Sequence, residues 1–226
     1  MSETSANGKG WTRRRVLMGA AAAGSALLSS RRSVAGARGA ASGGQMDLDR
    51  FVADCVAAQN DGEPQAAIKE LLARAVSEPR AVLAALGEPQ QAGIHPLHRS
   101  KTLTIFSATW TPQMNLMPHN HLMWALIGIY TGREDNILWR RTPERLEAFG
   151  AKALFEGDAA AMPQDAIHSV TNPLPRFTGG IHIYGGDFFD TARSQWNPET
   201  LHEEPSDGAT IREMFERENA RRRCAG

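Results

Sequence analysis

His119-Asn120-His121 and His168 are the residues whose types and spacing could do chemistry. On a strand, side chains two positions apart point to the same side, so an extended His-x-His aims two imidazoles at one point. His168, in Ala166-Ile167-His168-Ser169-Val170, can add a third nitrogen from another strand. Three neutral imidazoles leave positions open on a divalent ion, which is what catalysis at a metal requires. Taken singly, each of these histidines is equally compatible with ordinary packing or a core hydrogen bond.

These residues need a framework to bring them together. From Asp47 to about Gly87 the pattern is helical, because Leu48, Phe51, Val52, Cys55 and Val56, then Ile68, Leu71, Leu72, Ala75 and Val76, recur at spacings of three and four. Two or three short helices are expected there, with Cys55 a buried, inert thiol on the apolar face of the first. After a break at Gly93 to Pro96 the composition turns to β-branched and aromatic runs separated by Gly, Pro, Asn and Asp. The runs predict strands over 103–110, 121–131, 136–141, 152–155, 169–171 and 180–184. Gly132-Arg133-Glu134-Asp135 and Glu156-Gly157-Asp158 read as turn-like links. Closely spaced short strands of this kind imply a barrel or a sandwich. An amphipathic stretch from Ile211 to about Arg222 predicts a closing helix capped by Asp207 or Thr210.

A chain of 226 residues with 42% hydrophobic content fits one domain with a sizeable core. Residues 46–226 are expected to form it, opening with the helical segment 46–87. Twenty-five basic residues against 25 acidic ones give no net charge and exclude the overall basic excess of a nucleic-acid binder. Two cysteines, Cys55 and Cys224, make neither a disulfide scaffold nor a cysteine zinc site. Residues 1–41 read as a secretory signal of the twin-arginine kind and its linker. Thr12-Arg13-Arg14-Arg15-Val16-Leu17-Met18 precedes a mildly apolar run from Gly19 to Leu28, and Ala35-Gly36-Ala37 offers a cleavage site. Arg31 and Arg32 end the apolar run short of the roughly 20 residues of a spanning helix, so no stable membrane anchor is expected. The expectation is export through the twin-arginine machinery to the periplasm, with a basic tail on a cytoplasmic protein as the alternative. That machinery carries folded proteins, which suits one that takes its metal before crossing.

The punctuation around the histidines adds a resemblance. Gly157, Pro163, His168 and Asn172 give G-x5-P-x4-H-x3-N, which resembles the second motif of the cupin superfamily, with Asp165 where glycine is usual. His119-x-His121 followed by Gly132 resembles the first cupin motif, with Ala125 or Leu126 where a ligating glutamate is expected. A cupin with three histidine ligands and no carboxylate resembles the cysteine dioxygenase and related thiol dioxygenase family, and the likeness extends along most of residues 97 to 187. Trp110 stands where the family has a tryptophan ahead of its His-x-His, and His168-Ser169-Val170-Thr171-Asn172 resembles the third-ligand segment. Gly180-Ile181-His182-Ile183-Tyr184 resembles the family's Ser-x-His-x-Tyr triad with glycine in place of serine, so the relay keeps only His182 and Tyr184 unless water fills the gap. The cysteine that crosslinks to the triad tyrosine in some members is absent, Ala125 standing nearest.

The resemblance implies a mainly β double-stranded β-helix (cupin, jelly-roll) barrel with short N-terminal helices and a C-terminal helix. It implies one Fe(2+) per chain on His119, His121 and His168, and no organic cofactor. Tyr184 would donate to bound oxygen or to the substrate, His182 would orient the tyrosine hydroxyl, and Arg99 would hold a substrate carboxylate. Met123 and Trp124 would line the pocket or pack the barrel core. His95, His98 and His202 are expected at the surface. The implied reaction adds O2 to the sulfur of a small, carboxylated thiol to give a sulfinate. Sulfur supplies the electrons, consistent with the lack of a dinucleotide fingerprint. A cupin metalloenzyme of other chemistry, and a cupin that binds a metal or ligand without turnover, stay open beside it. A monomer or small homo-oligomer is expected.

Overall fold

The computed structural model describes residues 44–225. The expected signal and linker at 1–41 lie outside them. Three helices come first: α1 (Leu48–Ala58), α2 (Pro64–Val76) and α3 (Pro79–Leu86). The Asp47 carboxylate accepts the Arg50 amide at 2.9 Å to start α1, while Pro64 and Pro79 open α2 and α3 where a missing N–H costs nothing.

Eleven strands follow: β1 (Gly93–Arg99), β2 (Thr104–Trp110), β3 (Asn115–Asn120), β4 (Ala125–Thr131), β5 (Arg133–Arg141), β6 (Leu146–Phe155), β7 (Ala159–Met162), β8 (Ile167–Thr171), β9 (Thr178–Tyr184), β10 (Ser194–Trp196) and β11 (Glu203–Pro205), before the closing helix α4 (Gly208–Ala225). They form two antiparallel sheets in the orders β1-β2-β9-β4-β7 and β11-β10-β3-β8-β5-β6. From β2 to β9 the chain crosses between the sheets at every step except the β5–β6 hairpin, with β9 pairing between β2 and β4 and β8 between β3 and β5. That winding is the double-stranded β-helix, and the fold is mainly β with short helices at one end and a C-terminal helix at the other.

The three central strands of the first sheet, β2, β9 and β4, have two buried faces. Phe106, Ala108 and Trp110 of β2, Ala125, Ile127 and Ile129 of β4, and Tyr184 of β9 face the barrel interior. The alternate residues Ile105, Leu126, Tyr130, Ile181 and Ile183 face out and pack against Phe51, Cys55, Ile68, Leu72 and Val76 of the helices. Strands covered on both faces read as continuous apolar runs, which is why β2, β4 and β9 were legible. Burial pushes the Cys55 thiol up to about 12, so it is inert as expected.

Several strands depart from the sequence reading. β1 occupies the stretch read as a break, and β3 was not expected because Pro118 and two asparagines dilute its pattern. The strand expected over 121–131 begins only at Ala125. The link expected at 132–135 is confined to Gly132, whose φ of +83° makes the turn, and β5 starts at the next residue. At the far end Asp207 caps α4 by accepting the Ala209 amide at 2.8 Å. Asn219 of α4 then pairs with the backbone of Ala92 through two hydrogen bonds of 2.7 and 2.9 Å, and Phe215 stacks on Trp110. Among the described residues no helix is long and apolar enough to cross a membrane.

Leu72 is fully buried between α2 and the outer face of the first sheet. Leu72→Ala is expected to lower the unfolding free energy by about 2–5 kcal/mol, read from a urea titration.

Candidate metal centre

The backbone pairing of β3 with β8 puts His119 directly opposite His168. Paired residues share a face, so both imidazoles enter the barrel. His121 follows β3 immediately, at a corner where Leu122 adopts φ +56° and carries the chain from one sheet to the other. The three rings are 7%, 1% and 2% exposed for His119, His121 and His168, so water does not compete for their nitrogens.

His121 Nε2 lies 3.2 Å from His119 Nε2 and 3.2 Å from His168 Nε2. Two nitrogens each about 2.1 Å from one ion, at an angle between 90° and tetrahedral, stand about 3.0–3.4 Å apart. Both of these spacings fit a shared ion, and all three ligand nitrogens lie within 4.8 Å of one another. The opposite ring edges agree: His119 Nδ1–H donates to the Met117 carbonyl at 3.0 Å, and His168 Nδ1–H donates to the Asn136 side-chain oxygen at 2.6 Å. Both rings therefore present an unprotonated Nε2 to the common point. Burial pulls His119 down to about 4, and burial first, with neighbouring imidazoles second, holds His121 and His168 well below the ordinary histidine value. The three ligands are neutral at neutral pH, ready for a cation.

The other sheet supplies the remaining polar groups. His182 and Tyr184 of β9 both point inward, and the Tyr184 hydroxyl is 3.3 Å from His182 Nδ1. The Tyr184 ring meets the edge of His121, with centroids 4.8 Å apart. Burial, reinforced by the negative charge of Glu134, raises the tyrosine above its ordinary value, so it stays an O–H donor. Gly180 lies on the same strand at the place of the triad serine. A Cβ there would stand 3.2 Å from His182 Nε2, and its place beside that nitrogen is taken by a different group, the Glu134 carboxylate.

Glu134 was missed by sequence reading because it sits in Gly-Arg-Glu-Asp, which reads as a turn. It is 0% exposed on β5. Its Oε2 accepts the Trp110 indole N–H at 3.0 Å and lies 3.4 Å from His182 Nε2, while Oε1 accepts the Asn136 amide at 3.1 Å. Burial pushes this carboxyl up, but the His182 ring and the bonds from His182, Asn136 and Trp110 outweigh it, leaving it below the usual carboxylate range.

Arg193 was missed as well, since one arginine in a loop carries no signal. Together with His119, His168, His182, Tyr184 and Phe188 it lines a small pocket of about 30 Å³. Its guanidinium lies over the Phe188 ring, with Cζ 4.0 Å from the centroid, and donates to the Phe188 carbonyl, but its buried Nε has no partner. Burial lowers its pKa. Among the described residues no carboxylate lies within 4.0 Å of it. A cleft of about 550 Å³ outside shares Ile94, Phe188, Arg193, Ile211 and Phe215 with this cavity, so those residues separate the centre from solvent.

Arg99 is not brought to this cavity. It is half exposed, pairs with Asp187 at 2.8 and 3.0 Å, and lies over Phe189 on the outside. The geometry corrects its expected place: an edge strand turns it to the surface, and Arg193 occupies the interior position. Met123 packs in the barrel core and Trp124 packs toward the helices beneath Gly185, so neither lines the cavity. His95 and His202 are exposed and His98 is half-buried.

The sequence matches no family model and no curated protein. Solved structures with similar folds include a protein with a double-stranded β-helix domain from Klebsiella pneumoniae, 10% identical, covering 53% of this chain and 90% of that one with a TM-score of 0.36. An RmlC-like cupin family protein from Methanocaldococcus jannaschii is 11% identical, covering 45% of this chain and 86% of its own with a TM-score of 0.39. A variant of oxalate decarboxylase from Bacillus subtilis is 14% identical over 46% of this chain and 28% of that one, with a TM-score of 0.36. The strand order of the two sheets, not these likenesses, carries the fold.

Three imidazoles held neutral in the fold take up protons more readily once unfolded. The unfolded chain therefore binds more protons below the ordinary histidine value of about 6.5, and the metal-free protein should lose stability as pH falls from there. For His119 alone the loss is about 1.4 kcal/mol per pH unit, ending near its folded value of about 4. Urea unfolding between pH 7 and 4 checks this. A stability independent of pH over that window contradicts the neutral triad.

Proposed function

We propose that this chain is an Fe(II)-dependent dioxygenase that adds both atoms of O2 to the sulfur of a small carboxylated thiol. One observation carries the reading: a cluster of three neutral imidazoles, His119, His121 and His168, bordering a small pocket that a protonated phenol and a guanidinium without an anion also line. Carboxylate ligands are absent from its lining, as in the family that the histidine motifs resemble.

His119, His121 and His168 would hold the ion. Bound iron would supply ligation of the thiolate and of O2 and the electron transfer between them. The reaction is RSH + O2 → RSO2H, in which sulfur gives up four electrons and O2 accepts them, so no nicotinamide, flavin or 2-oxoacid takes part. Arg193 replaces Arg99 as the group that holds the substrate carboxylate. A buried guanidinium short of an anion is completed by one, and its planar fork fixes the carboxylate's orientation relative to the histidines. Tyr184, kept protonated and donating to His182 Nδ1, presents its hydroxyl oxygen to the space beside His121. Phe106, Trp110 and Phe188 keep water out, which strengthens each of these interactions. The same reading takes residues 1–41 as a twin-arginine export signal that delivers the folded protein to the periplasm.

The test is O2 consumption by protein loaded anaerobically with Fe(II) and mixed with cysteine, 3-mercaptopropionate, mercaptosuccinate or cysteamine. One thiol should gain two oxygen atoms by mass, and His119→Ala should abolish the gain. Oxygen uptake indifferent to every thiol overturns the reading. Arg193→Ala should raise KM for a carboxylated thiol by roughly 10- to 100-fold, the size of a lost hydrogen-bonded charge contact, and leave cysteamine kinetics nearly unchanged. Arg99→Ala should alter neither.

A further inference from the structure

Glu134 is a buried carboxylate that accepts hydrogen bonds from Trp110 and Asn136 and stands 3.4 Å from His182 Nε2, so that groups from three strands converge on it. Trp110 reaches it from β2, Asn136 from β5 and His182 from β9. We propose that Glu134 is the positioning residue of the centre, setting through Asn136 which nitrogen His168 turns to the metal and directly which nitrogen of His182 faces Tyr184. The proposal rests on the three-histidine centre of the function proposed above and adds the group that aligns it.

Glu134 and Asn136 are two apart on β5, so both side chains enter the barrel. A carboxylate only accepts hydrogen bonds. The Asn136 amide therefore turns its NH2 to Glu134 Oε1 at 3.1 Å and its oxygen to His168. That oxygen can only accept, so His168 Nδ1 carries the proton and Nε2 keeps the free lone pair that a metal needs. With the Asn136 amide reversed, its NH2 would meet Nδ1, the proton would move to Nε2, and His168 could not ligate.

The second arm runs the other way. Glu134 Oε2 lies 3.4 Å from His182 Nε2, a buried nitrogen with no other partner. A neutral His182 therefore carries its proton on Nε2, which leaves Nδ1 to accept the Tyr184 hydroxyl at 3.3 Å. Gly180 makes room for this contact, since a Cβ at that position would stand 3.2 Å from the same His182 nitrogen. The indole of Trp110 donates to the same carboxylate oxygen and has no acceptor function of its own. Where a serine would have met His182, this chain uses a carboxylate from the facing sheet and thereby ties the relay to the metal ligand.

The test needs no turnover. Long-range 15N–1H NMR of the metal-free protein identifies which ring nitrogen of each histidine is protonated. The wild type is expected to show Nδ1–H for His168 and Nε2–H for His182. Either opposite tautomer in the wild type overturns the proposal, whatever any variant does. Glu134→Gln keeps the shape but offers only one acceptor oxygen to the three donors. It should move His182 toward Nδ1–H and weaken Zn(II) binding by roughly 10- to 100-fold. Unchanged tautomers and unchanged Zn(II) affinity in a folded Glu134→Gln protein also overturn it. Thiol oxidation enters neither measurement, so a failure of the dioxygenase reading would show separately.

Discussion

His121 Nε2 stands 3.2 Å from both His119 Nε2 and His168 Nε2, and nitrogens so placed repel one another unless something positive lies between them. Keeping those nitrogens unprotonated requires that the protons of His119 and His168 sit on the far side of the ring, on Nδ1, with an acceptor for each. The Met117 carbonyl and the Asn136 oxygen are those acceptors. Asn136 in turn needs a partner for its own amide, and Glu134 supplies it. A chain of obligatory hydrogen bonds thus runs from the centre of the barrel back to a single buried carboxylate, and each link leaves the next with one acceptable orientation.

The cost of burying that carboxylate and the Arg193 guanidinium is offset by the apolar framework around them. The first sheet packs on its outer face against α1, α2 and α3 and on its inner face against the second sheet. Phe106 stacks on both His182 and Tyr184, at centroid distances of 5.6 and 5.2 Å, so the relay residues are held by rings as well as by hydrogen bonds. Phe215 of α4 closes the same space by stacking on Trp110. The polar groups are few, and the rings around them restrict the rotamers they can adopt.

What was legible in the sequence follows from this division. His119, His121 and His168 could be read because ligand spacing and the surrounding glycine and proline positions form a pattern. β2, β4 and β9 could be read because both faces are buried. β3 was hidden because Pro118 and its asparagines interrupt the apolar signal, although it carries His119. Glu134 was hidden because a charged residue just after glycine looks like a turn, and nothing local distinguishes a buried strand carboxylate from a solvated one. Arg99 and Arg193 show the limit of spacing arguments most plainly. Which arginine enters the barrel depends on how an edge strand and a late loop are placed in three dimensions, and no local pattern encodes that.

The metal ligands and the relay belong to different sheets. His119 and His168 are bound to each other through the β3–β8 ladder, so they move as a unit when that sheet flexes, whereas His182 and Tyr184 ride on β9 opposite. The gap between ligands and relay is therefore the thickness of the sandwich, nominally about 10 Å between facing backbones. Side chains such as Ile127, Ile129 and Met162 fill that thickness in the barrel core, with Ile127 directly opposite His182 in the β4–β9 pairing, so they act as spacers for the site.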